Sequence, residues 1–292
     1  MIQIGILSCE AECYSTQRLM EAAKKRGHEV SIINTVRCFL QIASNELSIH
    51  YNEGLPKVDA IIPRIGASVT LYGTTLVRQF GNMKVYTLNE AAAILRSRDK
   101  LHSLQLLAQH VPLPKTGFAH SPEDLYEIIE KIGGYPLVIK LLEGSQGKGV
   151  ILAETAATAM SIFDSFHRLK APFLVQQYIA EACGSDIRCF VIGDEVIATM
   201  QRKAQAGEFR ANLHRGGVGS PIEITEEERA MAIKAAKVLG LNVAGVDILR
   251  TPKKSMVLEV NSSPGLKGIE HVSGQDIAGK IIEYIEKQIK ER

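Results

Sequence analysis

Two apolar stretches late in the chain each carry one acid. Residues 243–250 read VAGVDILR and residues 255–261 read SMVLEVN, so Asp247 and Glu259 interrupt runs otherwise suited to buried strands. An unpaired carboxylate in such a place is costly, so the fold must give both acids something to face. The stretches are separated by a turn at Thr251-Pro252 and are expected to pair as neighbouring strands. Side chains at i and i+2 share one face of a strand, so Glu259 and Asn261 point the same way. Adjacent strands lie about 4.8 Å apart, and Asp247 reaches the same spot if the register matches. Two carboxylates and an amide oxygen make a hard, oxygen-only set suited to Mg²⁺. The alternative is a half-exposed sheet whose acids face solvent; the apolar neighbours on both sides weigh against it.

A metal of this kind implies phosphate. The chain has no G-x-x-x-x-G-K-[ST] loop and no G-x-G-x-x-G after a first strand. It does have GSQGKG at 144–149, where Gly144, Gly147 and Gly149 would let backbone N–H groups fold over phosphate oxygens; a plain glycine-rich hairpin is the competing reading. Lys140, isolated in the apolar run PLVIKLL just before this loop, favours the phosphate, because a lysine in such a strand needs an anion. Lys100, at the start of the preceding helix, is a second candidate cation. The stretch QRKAQAGEFRANLHRGGVG (201–219) gathers Arg202, Lys203, Arg210, Asn212, His214 and Arg215. Such a segment is either a solvated face or a clamp on triphosphate and an acidic substrate.

Around these features the chain reads as alternating strands and helices. Strand 2–7, helix 16–26 ending at Gly27, and strand 29–34 form the unit of a parallel sheet, extended by strands 58–64 and 84–88 with a helix at 72–82 between them. A helix at about 98–110 follows, stopped by VPLP (111–114). Strand 116–119, helix 121–131, strand 136–142, strand 150–153, helix 155–168 and strand 173–179 come next. Residues 186–203 read as a hairpin turning at Gly193-Asp194, and 204–222 as a long loop. Thr225 and Glu228 fit a capping box for a helix running to Leu239 and stopping at Gly240, and a last helix spans about 275–290.

At 292 residues, about two domains are expected: 1–95, an open parallel-sheet α/β domain, and 96–292, divided into a smaller subdomain at about 112–178 and a C-terminal one at about 179–292. The net charge of +2 is too balanced for a nucleic-acid footprint, so no direct nucleic-acid partner is expected. Five cysteines form no C-x-x-C pair and read as free thiols. With no run near the ~20 apolar residues of a membrane span and no signal-like start, a cytoplasmic protein without membrane contact is expected.

Together these parts describe a nucleotide site without a P-loop, and here the chain resembles the RimK family of ATP-grasp ligases. The resemblance runs from ILS and IPRIG through YGT, RQF, LNE, RDKL, HSPEDL, VIKLLEGSQGKGV, DIRCFVIGDEV, FRANLHRGG and VAGVDIL to EVNSSPGLKGIE. It implies an α+β ATP-grasp fold that holds ATP between two subdomains, and a ligase that adds L-glutamate to the C-terminal glutamate of a small-subunit ribosomal protein. Carried over residue by residue, it makes Lys100 and Lys140 phosphate-binding lysines. Gln177 and Tyr178 become the linker beside adenine, and Asp186 an acid contacting the nucleotide. Arg210, Ala211 and Asn212 form the segment that closes on ATP, and Asp247, Glu259 and Asn261 are the metal ligands. Two positions depart from the family pattern: Gln177 stands where Glu is common and Ala211 where Ser is common.

The resemblance also implies ATP with Mg²⁺ or Mn²⁺, two ions being expected, and a homo-oligomer. Arg202, at the end of the hairpin, is expected to be catalytic alongside Lys140, stabilising the transferring phosphoryl group. Two rival readings are a ligase acting on a coenzyme tail or carrier protein, and a nucleotide-binding regulator that does not turn over.

Overall fold

The computed structural model describes residues 1–52, 54–144 and 147–292. Its first part runs β1 (Gln3–Ser8), α1 (Tyr14–Lys25), β2 (Glu29–Ile33), β3 (Cys38–Ala43), β4 (Glu46–Tyr51), β5 (Ala60–Arg64), α2 (Thr70–Asn82) and β6 (Tyr86–Thr87). The sheet order is β2-β1-β5-β6, with every pairing parallel, as the strand–helix–strand pattern implies. The hairpin β3–β4 was not expected from the sequence; it projects as a separate two-stranded sheet. Its CFLQIA and ELSIHY strands leave Phe39 and Ile42 exposed, which blurs the apolar–polar alternation that normally marks a strand.

Two helices follow, α3 (Ala91–Arg98) and α4 (Lys100–Leu107), where one helix over 98–110 was expected. The break is Asp99, which is extended at the junction and caps α4 by accepting from the His102 N–H at 3.0 Å. The next layer is β7 (Thr116–Gly117), α5 (Leu125–Ile132), β8 (Leu137–Leu141), β9 (Val150–Ala153), α6 (Ala156–Arg168) and β10 (Phe173–Gln177). This antiparallel sheet has the order β7-β10-β8-β9. Leu137, Ile139 and Val175 pack against α5 and α6, so strand alternation turns Val138, Lys140, Leu174 and Gln176 to the opposite face.

The last layer is β11 (Ser185–Ile192), β12 (Glu195–Lys203), β13 (Val218–Ser220), α7 (Glu226–Leu239), β14 (Val243–Arg250), β15 (Ser255–Asn261), α8 (Lys267–Ser273) and α9 (Ile277–Lys290). Its antiparallel order is β13-β12-β11-β14-β15. The capping box of Thr225 and Glu228 is formed, and Glu228 also accepts from Arg250 and Ser255, tying α7 to the β14–β15 hairpin. The expected loop at 204–222 contains β13 and a 3₁₀ turn, Leu213–Arg215; three residues are too few for a periodic signal. Among the described residues no helix is long and apolar enough to cross a membrane.

One core joins the first and last sheets: Ile4, Ile6 and Ile62 pack with Phe190, Met200, Ile281 and Ile285. At its edge Asn89 is 2% exposed. Its Nδ2 donates to the carbonyls of Val243 (2.8 Å) and Ser262 (3.1 Å), and its Oδ1 accepts from the N–H groups of Asn242 (2.9 Å) and Val243 (3.0 Å). One side chain thus holds the start of β14 and the end of β15 against the parallel sheet. Asn89→Ala leaves these buried backbone groups unpaired and is expected to lower unfolding free energy by about 2–4 kcal/mol, read from urea denaturation midpoints at unchanged m-value.

Candidate active site

The inner faces of the second and third sheets enclose a cavity of about 240 Å³. Val138, Lys140, Leu174 and Gln176 line one wall; Asp186, Arg202, Asp247, Glu259 and Asn261 line the other. Gly144, Gly147 and the segment Phe209 to Asn212 close one side, Gln177 and Tyr178 form the joint between the sheets, and Lys100 reaches in from α4. Of the sequence candidates, all but Gly149, Lys203, His214 and Arg215 are on this cavity wall. Gly149 packs behind it: a Cβ there would lie 2.8 Å from the Leu141 side chain, and its φ is +71°. The middle of the glycine loop, Ser145 and Gln146, lies outside the described residues.

The strand register assembles the acid wall. Val246 pairs with Val260 and Asp247 with Glu259, but Ile248 pairs with Val257, so the ladder skips Leu258. This bulge lets Val257 and Val260 both enter the core against α7 while Glu259 and Asn261 face the cavity. Without it, Val257 and Glu259 would share a face and one of them would be misplaced. On β11, Arg188 sits opposite Asp247 and Asp186 opposite Arg202.

These four side chains form one buried network. Arg188 donates through Nε to Asp247 Oδ1 and through Nη2 to Oδ2 at 2.8 Å. Arg202 Nη2 donates to Asp247 Oδ2 and to Asp186 Oδ2, both at 2.7 Å, and its Nε donates to Asp186 Oδ1 at 2.6 Å. Burial opposes ionisation of Asp247, yet the charges of Arg188 and Arg202 hold its carboxyl well below the ordinary range. Arg188 escaped the sequence reading because DIRCFVI looks like a plain strand; the alternation of Asp186 and Arg188 on one face was the available signal. Arg202, expected to meet the transferring phosphoryl group, spends Nε and Nη2 on the two aspartates, so only its Nη1 remains for a ligand.

Glu259 opens into the cavity but is ringed by protein; that enclosure, and then the nearby Asp247 charge, raises its carboxyl above the usual range. Burial likewise pushes the Lys140 ammonium down to about 8, with Glu259 pulling the other way. Lys100 is lowered by burial too, and its Nζ donates to the carbonyls of Leu142 (2.8 Å) and Gly144 (3.1 Å). Crowded acids facing partly desolvated lysines across a cavity are the condition for taking up a phosphate with its cation. Among the described residues no three His, Cys, Asp or Glu side chains gather as a metal cage. The oxygen donors present are two carboxylates and the Asn261 amide, a set that fits Mg²⁺ sharing its shell with phosphate and water.

The 204–222 segment is docked over the glycine loop. Arg210 Nη1 donates to the carbonyls of Gly147 (3.1 Å) and Val150 (2.9 Å), and Arg215 Nη2 to Gly147 (3.2 Å). Gly147 has φ +73°, and a Cβ there would meet Asn212 Oδ1 at 2.8 Å, so both backbone and space demand glycine. Tyr178 and Phe209 meet edge to face with ring centroids 6.4 Å apart, bringing the joint and the closing segment together. Phe209 was not singled out from the sequence.

The comparisons with known proteins agree with this architecture. Residues 97–285 match the RimK-like ATP-grasp domain and residues 2–94 the RimK PreATP-grasp domain. A protein of Ectopseudomonas mendocina (strain ymp) named "Probable alpha-L-glutamate ligase" is 58% identical over 288 residues, covering 98% of this chain and 96% of that protein. Among solved structures, D-alanine–D-alanine ligase from Bacillus anthracis, complexed with ATP, superposes with a TM-score of 0.73 at 17% identity, covering 100% of this chain and 98% of that one. The ATP-grasp ligase PsnB, complexed with a phosphomimetic variant of minimal precursor, Mg and ADP, gives a TM-score of 0.74 at 20% identity, with 99% and 98% covered. These two share the fold. The two domain matches together span almost the whole length, and the chain belongs to the RimK family of ATP-grasp proteins and is an ATP-dependent ligase.

Proposed function

We propose that this ligase activates the C-terminal carboxylate of a small-subunit ribosomal protein as an acylphosphate and joins L-glutamate to it. The observation that carries the reading is the single cavity in which two desolvated lysines face an acid pair and an amide. The 58% identity to a relative named for glutamate ligation supports the choice of amino acid. The same reading puts the protein in the cytoplasm, with its ribosomal acceptor.

A carboxylate resists attack by an amine because oxide would have to leave; phosphorylation makes the leaving group phosphate. Lys140, Lys100 and the backbone at Gly144 and Gly147 hold the triphosphate, and Gln177 and Tyr178 flank the base. Asp247, Glu259 and Asn261 would hold Mg²⁺ or Mn²⁺, as one ion or two, which when bound screens the charge building on the phosphates. Arg188 and Arg202 orient the Asp247 carboxylate, and Arg202 Nη1 is placed to donate to a phosphoryl oxygen. The Phe209–Arg215 segment keeps water from the activated acceptor. Glutamate's amine attacks the acyl carbon, phosphate leaves, and the amine's surplus proton passes to solvent.

Glu259→Gln removes one ligand charge without changing shape. Glutamate-dependent ADP release is expected to fall by more than about 100-fold, beyond the loss typical of residues that merely support a ligand. An unchanged melting temperature shows that the fold survives. Near-normal turnover would remove Glu259 from the metal set.

Lys140 is charged below about pH 8 and neutral above it. ATP affinity of the free protein is therefore expected to weaken as pH rises through that value, approaching about tenfold per pH unit beyond it. In Lys140→Arg, which stays charged, calorimetric titration of a non-hydrolysable ATP analogue should show no such weakening.

The acceptor is tested by incubating the protein with ATP, Mg²⁺, glutamate and small-subunit ribosomal proteins, followed by intact-mass measurement. Glutamate-sized increments on one protein's C-terminus are expected. Increments confined to a carrier protein or coenzyme would transfer the reading to that acceptor, and ATP binding without turnover would sink it.

A further inference from the structure

Seven buried side-chain polar atoms lack a hydrogen-bond partner among the described residues, and four of them belong to segments that touch one another: Arg64 Nε, Arg98 Nε, Ser262 Oγ and Ser263 Oγ. Arg64 ends β5 at the carboxyl edge of the parallel sheet, where open α/β sheets take their ligands. Its Nη1 donates to the Pro264 carbonyl at 2.9 Å, directly after the two serines. Arg98 ends α3, and its Nη2 donates to the carbonyl of Ile65, the residue after Arg64. Arg98 and Ser262 also line the nucleotide cavity with Asn261, so this half of the group borders the proposed metal ligands, while Arg64 and Ser263 lie behind the cavity wall.

The charge here is unbalanced. Arg188 and Arg202, which are more deeply buried, are each paired with an aspartate, whereas the half-buried Arg64 and Arg98 have no carboxylate partner among the described residues. Burial lowers both guanidiniums, Arg64 to about 10; the Cys13 thiol beside Arg64 pulls the other way, and the Arg98 charge pushes it further down. Two half-buried guanidiniums of like charge, each with a buried Nε that has no partner, and two unpartnered hydroxyls in the turn that Arg64 contacts, call for an anion that the chain does not supply. A planar carboxylate matches the guanidinium fork and accepts from hydroxyls as well.

We infer that Arg64 and Arg98, with Ser262 and Ser263, form a pocket for a substrate carboxylate that does not react, holding it while the amine and the activated acyl group meet. This rests on the ligase reading above. In that reaction two sources carry such a group: the incoming glutamate, through either carboxylate, and the acceptor's last residue, through its side chain.

The test uses steady-state kinetics with ATP, Mg²⁺, glutamate and an acceptor peptide ending in glutamate, for the wild type, Arg64→Gln, Arg64→Lys and Arg98→Gln. Loss of the charge-assisted hydrogen bonds is expected to raise KM for one acidic substrate about 10- to 100-fold, with the KM for ATP and ADP-induced thermal stabilisation kept within about twofold. A rise confined to glutamate assigns the pocket to the incoming amino acid; a rise confined to the peptide assigns it to the acceptor. Unchanged KM values for both, or a rise for ATP alone, overturn the inference.

Calorimetry of glutarate on the wild-type protein saturated with Mg-ADP gives a readout independent of turnover and of variant folding. Glutarate binding to the wild type that is lost in Arg64→Lys supports the pocket even if the ligase reading fails. No glutarate binding to the wild type overturns it. Absence of glutamate-dependent ADP release from the wild type counts against the ligase reading instead.

Discussion

The site depends on the fixing of one carboxylate. Asp247 is 1% exposed and accepts from two guanidiniums, Arg188 on the neighbouring β11 and Arg202 one strand further on β12, so its charge survives at a nearly enclosed position. Such a network is not a cheap source of stability, because several kcal/mol per ion are lost in desolvation, and hydrophobic residues often pack as well. What it provides is position. With three directed hydrogen bonds, the Asp247 carboxylate has one orientation, and Glu259, opposite it in the ladder, inherits a defined negative neighbour. The raised Glu259 carboxyl and the lowered Lys140 ammonium are two consequences of placing these charges around a small enclosed space.

That geometry is supported from outside the two sheets that contain it. The parallel sheet contributes no strand to the cavity, yet Asn89 ties β14 and the end of β15 to it, and one hydrophobic core runs from Ile4 to Ile285 through Phe190. Arg64 then joins β5 to the turn after β15 through the Pro264 carbonyl. The first domain therefore sets where the end of the acid strand lies as well as how it is covered.

Much of this was legible in the residues. Alternation and turn chemistry located β14 and β15 to the residue, and acids in apolar strands marked the wall of the cavity. What was not legible depended on two-residue offsets and tertiary packing. The skipped Leu258 has no local signature, since VLEV reads equally well without a bulge; only the pairing of Ile248 with Val257 reveals it. Arg188 was hidden because a buried arginine is recognised by its partner, which lies 59 residues away. The different surroundings of Gly149 were not legible because three glycines in a row of six look alike, and only the contact with Leu141 sets it apart from the two that line the cavity. The helix α3 (Ala91–Arg98) was missed because its eight residues, AAAILRSR, carry little apolar periodicity.

The cations around the cavity sort themselves by who supplies their partner. Arg188 and Arg202 are satisfied by buried aspartates, and Arg210 by Glu208, whose carboxyl the Arg210 hydrogen bond holds at about 2. These three can build the walls and clasp the glycine loop without any ligand, because their charge is already matched. Lys100 is half-committed, donating to carbonyls that carry no net charge. Lys140, Arg64 and Arg98 keep a charge that burial disfavours, and no hydrogen-bonded acid offsets it among the described residues. A folded chain tolerates such groups only where occupation by an anion offsets the cost, since neutralising an arginine is far harder than filling its site. Lys140 faces the acid wall, where the phosphates would lie. The arginine pair faces the end of β15, on the side from which the parallel sheet approaches. Two unmatched regions of positive charge, one at Lys140 and one at Arg64 and Arg98, would suit a nucleotide and an acidic substrate under the proposed reaction.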